Sequence, residues 1–152
     1  MISKYNFTLS VEEPWVLKAH DISKYQNLEG TIILDGKKMT SLSCFYDEIA
    51  KSFKFPNYIG RNFNSLSEGL ADLSWLPQQN YLILITNGIC VLSKENSEIL
   101  DGFIEILDEI GQEWSEPINV GELWDRPAIS FKTIFEVKKH NKKSRISLLH
   151  AL

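Results

Sequence analysis

The stretch Tyr81-Leu82-Ile83-Leu84-Ile85 decides the fold class of this 152-residue chain. Five consecutive apolar residues of this kind are typical of a β-strand that is covered on both of its faces, as in a parallel sheet. Upstream, residues 31–34 form a second short β-branched run, and Asp35-Gly36 closes it with a turn. Downstream, residues 128–137 alternate well enough to predict a third strand, with one face formed by Ile129, Phe131, Thr133 and Phe135.

Three amphipathic helices are predicted around these strands. The first places one apolar face at spacings i, i+3, i+4, i+7 and i+11 and ends near Lys54, because Pro56 follows; that face is Leu42, Phe45, Tyr46, Ile49 and Phe53. The second begins after Asn62, a good N-cap, and turns inward Phe63, Leu66, Leu70 and Leu73. The third covers residues 97–114. This order of elements predicts an α/β fold, with a small three-stranded parallel sheet packed with helices.

The chain has the size and the 43% hydrophobic composition of one globular domain. We predict that residues 30–137 form this domain. Residues 1–29 are interpreted as an N-terminal extension with one or two edge strands, and residues 138–152 as a basic C-terminal tail that frays or ends in a short helix. No apolar run approaches the roughly 18 residues of a membrane span, and the N-terminus lacks the apolar region of a signal peptide. A cytoplasmic protein without membrane contact is therefore expected.

Charge is distributed unevenly along the chain. Residues 1–137 hold 11 basic and 20 acidic side chains, a net charge of −9, whereas the tail holds five basic side chains and no acid. The imbalance is sharpest between Lys94 and Asp125, with ten acids and one lysine. Such a body repels nucleic acid and attracts basic proteins, although solubility alone would also explain it.

Catalytic chemistry finds little support in the sequence. The three histidines, His20, His140 and His150, lack partners at metal-ligand or nucleophile spacing. Cys44 and Cys90 are interpreted as buried structural thiols, and no glycine-rich phosphate loop is present. The acids on the third helix are interpreted as a solvated face. We therefore expect no enzyme, no catalytic residues, no metal and no cofactor.

The segment from Phe55 to Glu68 is the best candidate for a binding surface. If a helix begins after Asn62, Asn64 and Glu68 lie on one side of it, one turn apart. Tyr58 precedes that helix, Gly60 permits a close backbone approach, and Trp75 follows. These residues place aromatic, amide and carboxylate groups on one surface that suits a protein interface. The alternative is that Tyr58 and Trp75 are core residues and Asn62 is only a cap.

Residues 55–77, Phe-Pro-Asn-Tyr-Ile-Gly-Arg-Asn-Phe-Asn-Ser-Leu-Ser-Glu-Gly-Leu-Ala-Asp-Leu-Ser-Trp-Leu-Pro, resemble the barstar family. The likeness rests on a proline, a glycine, an asparagine and a leucine in register, with a downstream tryptophan, and it extends over about residues 30–87. Members of that family are intracellular inhibitors of secreted bacterial ribonucleases such as barnase. The resemblance implies a bacterial immunity protein, or antitoxin, whose acidic surface blocks a basic ribonuclease in a 1:1 complex by mimicking RNA. No direct contact with nucleic acid is expected.

Carried over by position, the resemblance implies that the partner-binding surface and its supports consist of Tyr58, Gly60, Asn62, Asn64, Ser67, Glu68 and Trp75. Three positions depart from the family pattern: Asn64 replaces a signature acid, Phe63 replaces the usual large aromatic or leucine, and Ser67 replaces a tryptophan. A further acid late in the third helix could be Glu105, Asp108 or Glu109.

The departure at Asn64 favours a toxin other than barnase, because one charge partner for the toxin is lost. Two other hypotheses stay open. One is an adaptor of the same fold with a partner that is not a nuclease, and the other is RNA binding through the basic residues 138–145.

Overall fold

Five parallel strands form one sheet in the computed structural model, which describes residues 4–138 and 144–152. The strands are β1 (Val16–Ala19), β2 (Thr31–Asp35), β3 (Tyr81–Thr86), β4 (Phe131–Glu136) and β5 (His150–Ala151), in the spatial order β2-β3-β4-β1-β5. The prediction of an α/β fold with a parallel sheet is confirmed. The predicted number of strands was wrong, because β1 and β5 extend the sheet from the three expected strands to five.

The helices follow the predicted boundaries closely. A short α1 (Lys4–Thr8) precedes the sheet, and α2 (Leu42–Ser52), α3 (Phe63–Asp72) and α4 (Ser97–Ser115) connect β2 to β3 and β3 to β4. The last three bury their apolar faces on one side of the sheet, where Phe45, Leu70 and Phe103 are fully buried. Because α2, α3 and α4 occupy this side, the other side of β3 needs a second cover.

The N-terminal segment supplies that cover. Ile22 and Tyr25 are buried against Leu82, Leu84 and Ile134, and Phe7 and Leu28 pack partly against the same cluster. Residues 81–85 are consequently buried on both faces, as their apolar run predicted. The strand within this segment was predicted at an edge, yet β1 lies inside the sheet and pairs with β4 on one side and β5 on the other.

A buried lysine fastens the segment to the sheet. The Nζ of Lys132, on β4, donates hydrogen bonds to the carbonyl oxygens of Glu12 and Pro14 and lies 4.0 Å from the centre of the Phe7 ring. Burial lowers the pKa of Lys132 to about 8, and the charge of Glu12 opposes that shift. The N-terminal segment thus contributes both apolar cover and polar anchoring.

The C-terminal tail was predicted to fray or to end in a short helix, and the structure contains a short helix followed by a strand that was not predicted. Ile146–Leu148 form one turn of 3-10 helix, and His150–Ala151 then pair with β1. Of the basic tail, Lys139, His140, Lys142 and Lys143 lie outside the described residues. No helix in the described parts of the chain has the length and apolar character to cross a membrane.

Candidate protein-binding surface

Asn62 sets the start of α3. It has extended backbone geometry, with φ −152° and ψ 166°, and its side-chain oxygen accepts a hydrogen bond of 2.8 Å from the backbone N–H of Ser65. Such a cap satisfies an N–H that has no partner within the helix. The predicted N-cap is confirmed, and it gives the first turn of α3 a fixed position.

Gly60 allows the preceding loop to lie against that first turn. A Cβ atom at this position would be 2.8 Å from the Ser65 hydroxyl oxygen and 3.2 Å from the Asn62 side-chain nitrogen. The shorter distance would force the Ser65 hydroxyl to move, so Gly60 lets the loop lie against α3 without displacing that side chain. Gly60 therefore supports the surface.

Arg61 ties the loop to α2 and was not singled out from the sequence. Its guanidinium donates to a carboxylate oxygen of Asp47 at 2.9 Å and to the Ser43 carbonyl at 2.8 Å. It also lies 5.5 Å from the centre of the Tyr46 ring. Burial raises the pKa of Tyr46, while the Arg61 charge opposes the rise. Because Asp47 neutralises Arg61, the surface carries no unpaired cation at this point.

Tyr58 is exposed and Trp75 is half-buried, and the two side chains have different roles. The Tyr58 side chain is 73% exposed and meets the Trp75 ring edge-to-face, with centroids 6.5 Å apart. The Trp75 indole N–H donates to the Phe53 carbonyl at 2.9 Å, and its ring contacts Phe55. The alternative of two core residues is thus wrong for Tyr58, which Trp75 holds at the surface.

Three of the predicted residues share the outer side of α3. Asn64, Ser67 and Glu68 follow one another at i, i+3 and i+4, while Leu66 and Leu70 take the buried side as predicted. Asn64 and Glu68 are exposed, and neither makes a side-chain hydrogen bond or ion pair with the described residues. The structure thus presents one free amide and one free carboxylate, close to each other along the helix.

The candidate acids of α4 lie on two different sides of that helix. Asp108 faces the N-terminal segment, where burial and the charge of Glu13 raise its pKa and Arg145 opposes the rise. Gly102 packs against the Phe63 ring of α3, and Glu109 lies within about 20° of Gly102 around the helix at 100° per residue. Glu109 is therefore placed on the side of α3.

A small cavity borders this surface. A cavity of about 200 Å³ lies between α2 and the loop, lined by residues that include Tyr46, Phe55, Ile59 and Arg61 but no histidine, cysteine, aspartate or glutamate. Within residues 4–138 and 144–152, no three His, Cys, Asp or Glu side chains are grouped to hold a metal ion. Cys44, interpreted from the sequence as a buried thiol, is exposed, and Cys90 is partly exposed.

Comparison with known families agrees with the resemblance. The family model described as Barstar (barnase inhibitor) matches residues 30–136, from the start of β2 to the end of β4. The matched region contains every residue of the surface described above. No individually curated protein matches the chain. Because the matched region covers well over half of the sequence, the chain belongs to the Barstar family.

Proposed function

We propose that this protein is an intracellular inhibitor of a basic ribonuclease, an immunity protein that protects the cell producing or receiving the toxin. The observation that carries the proposal is the exposed set formed by Tyr58, Asn64 and Glu68, which lie on α3 and the loop before it in a chain of the Barstar family. A tyrosine anchors an interface with little loss of side-chain entropy, and a free carboxylate pairs with an Arg or Lys of the partner. Bound in this way, the inhibitor covers the active site of the ribonuclease.

The charge of the chain supports a basic partner. Residues 1–137 have a net charge of −9, and exposed acids occupy both α3 and the outer side of α4. An acidic surface accelerates encounter with a cationic protein, and salt weakens that attraction. The same charge opposes binding to RNA, so we assign the basic residues near the C-terminus no nucleic-acid role.

The departures from the family pattern bear on which ribonuclease is bound. Asn64 offers hydrogen bonds but no charge, and Ser67 offers a small hydroxyl where the pattern has a large ring. Compared with a ribonuclease that fits the family pattern, the partner is therefore expected to present one cation fewer opposite Asn64 and a bulkier group opposite Ser67. These two exchanges also favour the second candidate, an adaptor of the same fold with a partner that is not a nuclease.

An affinity capture separates the two candidates. The tagged protein is incubated at low salt with lysate and medium from its source organism, eluted with high salt, and the eluate is assayed for ribonuclease activity. We expect a small basic protein whose activity appears only after elution. Elution of a specific partner without ribonuclease activity would favour the adaptor.

Repeating the capture with tagged variants tests whether the surface is placed correctly. Glu68→Gln and Tyr58→Ala should each lower the captured activity at least about tenfold, since each removes a central contact of the interface. Glu29→Gln removes an equally exposed carboxylate before β2 and should capture as well as the wild type. Equal capture by all four proteins would show that the surface is placed wrongly.

A further inference from the structure

The loop between α4 and β4 exposes three large apolar side chains within five residues. Val120 is 67% exposed, Leu123 103% and Trp124 64%. We call these three residues the apolar tip. Isolated apolar residues on a surface are common, but a cluster that includes a fully exposed leucine and a tryptophan marks an interaction site.

Backbone and side-chain hydrogen bonds hold the loop in shape without help from the apolar side chains of the tip. Ile118 and Arg126 pair through two backbone hydrogen bonds of 2.9 and 3.0 Å. The Asp125 carboxylate accepts from the backbone N–H groups of Val120 at 3.1 Å and Gly121 at 2.8 Å. Gly121 adopts a φ of +81°, which favours glycine. The apolar side chains are thus presented by an ordered turn.

Arg126 fixes the base of the loop to the end of α4. Its guanidinium donates to the carbonyl oxygens of Glu113, Trp114, Glu116 and Pro127 at 3.0 to 3.2 Å. It also lies 4.4 Å from the centre of the Trp114 ring. Because this cation is used internally, the exposed charges of the loop are acidic: Glu116 and Glu122.

An acidic row on α4 joins the apolar tip to the candidate surface. Glu109, Glu113 and Glu116 are exposed and follow one another at intervals of four and three residues. At about 100° per residue Glu109 and Glu113 lie within about 20° of Gly102, the residue that packs on Phe63 of α3, and Glu116 comes directly after the last residue of α4. A partner that extends from α3 along this row reaches the loop.

We propose that the apolar tip is a second contact for the same basic nuclease, inserting into an apolar pocket that is rimmed by Lys and Arg and lies outside the nuclease active site. This inference rests on the proposed function. Acidic neighbours without a free cation complement such a rim, and a tryptophan with adjoining aliphatic groups forms an efficient anchor. Since the turn is already ordered, binding requires little further loss of conformational freedom.

Photo-crosslinking tests both contacts separately. The full-length protein is expressed in its source cells with p-benzoylphenylalanine in place of Trp124, of Tyr58 or of Leu148, an exposed residue on a different part of the chain. After irradiation, crosslinked proteins are identified by mass spectrometry. We expect positions 124 and 58 to label one nuclease and position 148 to label none.

Each other outcome has a distinct meaning. Labelling of a nuclease from position 58 but not from 124 overturns the second contact and leaves the proposed function standing. Labelling from 124 of a second copy of this chain, or of a different protein, also overturns it. If neither position labels a nuclease, both proposals fail. For the labelled nuclease, Leu123→Ser combined with Trp124→Ala should accelerate dissociation at least tenfold, whereas Leu148→Ser should leave it unchanged.

Discussion

Two loops of this protein are each fastened by an arginine, but the two arginines use different partners. Arg61 binds the carboxylate of Asp47, and both side chains are more than half exposed. Arg126 binds four backbone carbonyls and covers the Trp114 ring. An exposed ion pair is screened by salt, whereas backbone carbonyls keep their positions and their partial charges. The loop before α3 is therefore adjustable, and the loop after α4 is rigid.

The largest effect is expected from Arg126→Ala. Removing the guanidinium leaves several carbonyls at the end of α4 without a donor and exposes Trp114, so the free energy of unfolding should fall by about 2 kcal/mol. Urea unfolding at neutral pH measures the change. Arg126→Lys keeps the charge but not the planar fork, and it should recover less than half of the loss. A loss below about 0.5 kcal/mol for Arg126→Ala would remove the difference between the two loops.

Asn62→Ala should have a smaller effect, about 1 kcal/mol, because one helix cap is lost. The matched variant Asn62→Asp keeps an oxygen acceptor for the Ser65 N–H and should retain the stability of the wild type. Urea unfolding of both variants checks this expectation. If the two variants were equally destabilised, the cap would not be what fixes the start of α3.

Arg61→Ala should lower stability by only about 0.5 kcal/mol, and the loss should shrink in about 0.5 M salt. A double-mutant cycle with Asp47→Asn isolates the energy of the ion pair. The hydrogen bond from Arg61 to the Ser43 carbonyl is lost in both Arg61→Ala steps of the cycle, so its contribution cancels. The coupling energy should decrease with salt. A coupling that salt leaves unchanged would show that this loop is as rigid as the other.

The smallest effect concerns the turn that carries the apolar tip. Hydrogen bonds from the backbone of Val120, Gly121 and Glu122 hold the pKa of Asp125 below its ordinary value of 3.8. Stability from this carboxylate is therefore present above pH 3.8 and is lost as the pH falls through the lowered folded-state pKa. Carbon-13 NMR titration should give a midpoint below 3.8 for Asp125 and above 3.8 for Asp108, whose pKa burial raises. The reverse order would mean that Asp125 does not hold the turn.

Local patterns predicted the parts of the fold that local chemistry controls. The helices α2, α3 and α4 each repeat an apolar face along the sequence. Asn62 and Gly60 each contact residues that lie only a few positions away in the chain. The strands β1 and β5 contain four and two residues, too few for a pattern, and their places depend on pairing with distant parts of the chain.

The contacts of the two loops could not be predicted from local sequence patterns either. Arg61 meets Asp47 across 14 residues of sequence, and no spacing rule links them. The apolar residues of the segment after α4 gave no sign in the sequence that they would be exposed, because apolar residues in loops usually pack against the core. In the structure these side chains are exposed, and the hydrogen bonds of Asp125 order the turn that carries them.

The position of β1 has a consequence for how the chain folds. Residues 30–136 can complete β2, β3 and β4 with short connections through the helices, whereas β1 pairs with β4 more than 100 residues later in the sequence. Closing so long a loop is entropically costly, and contacts of this kind form slowly. During synthesis, β1 leaves the ribosome first but must wait for β4, and β5 can add only afterwards. We expect β1 and β5 to pair last, in one late step, with a region that has already folded.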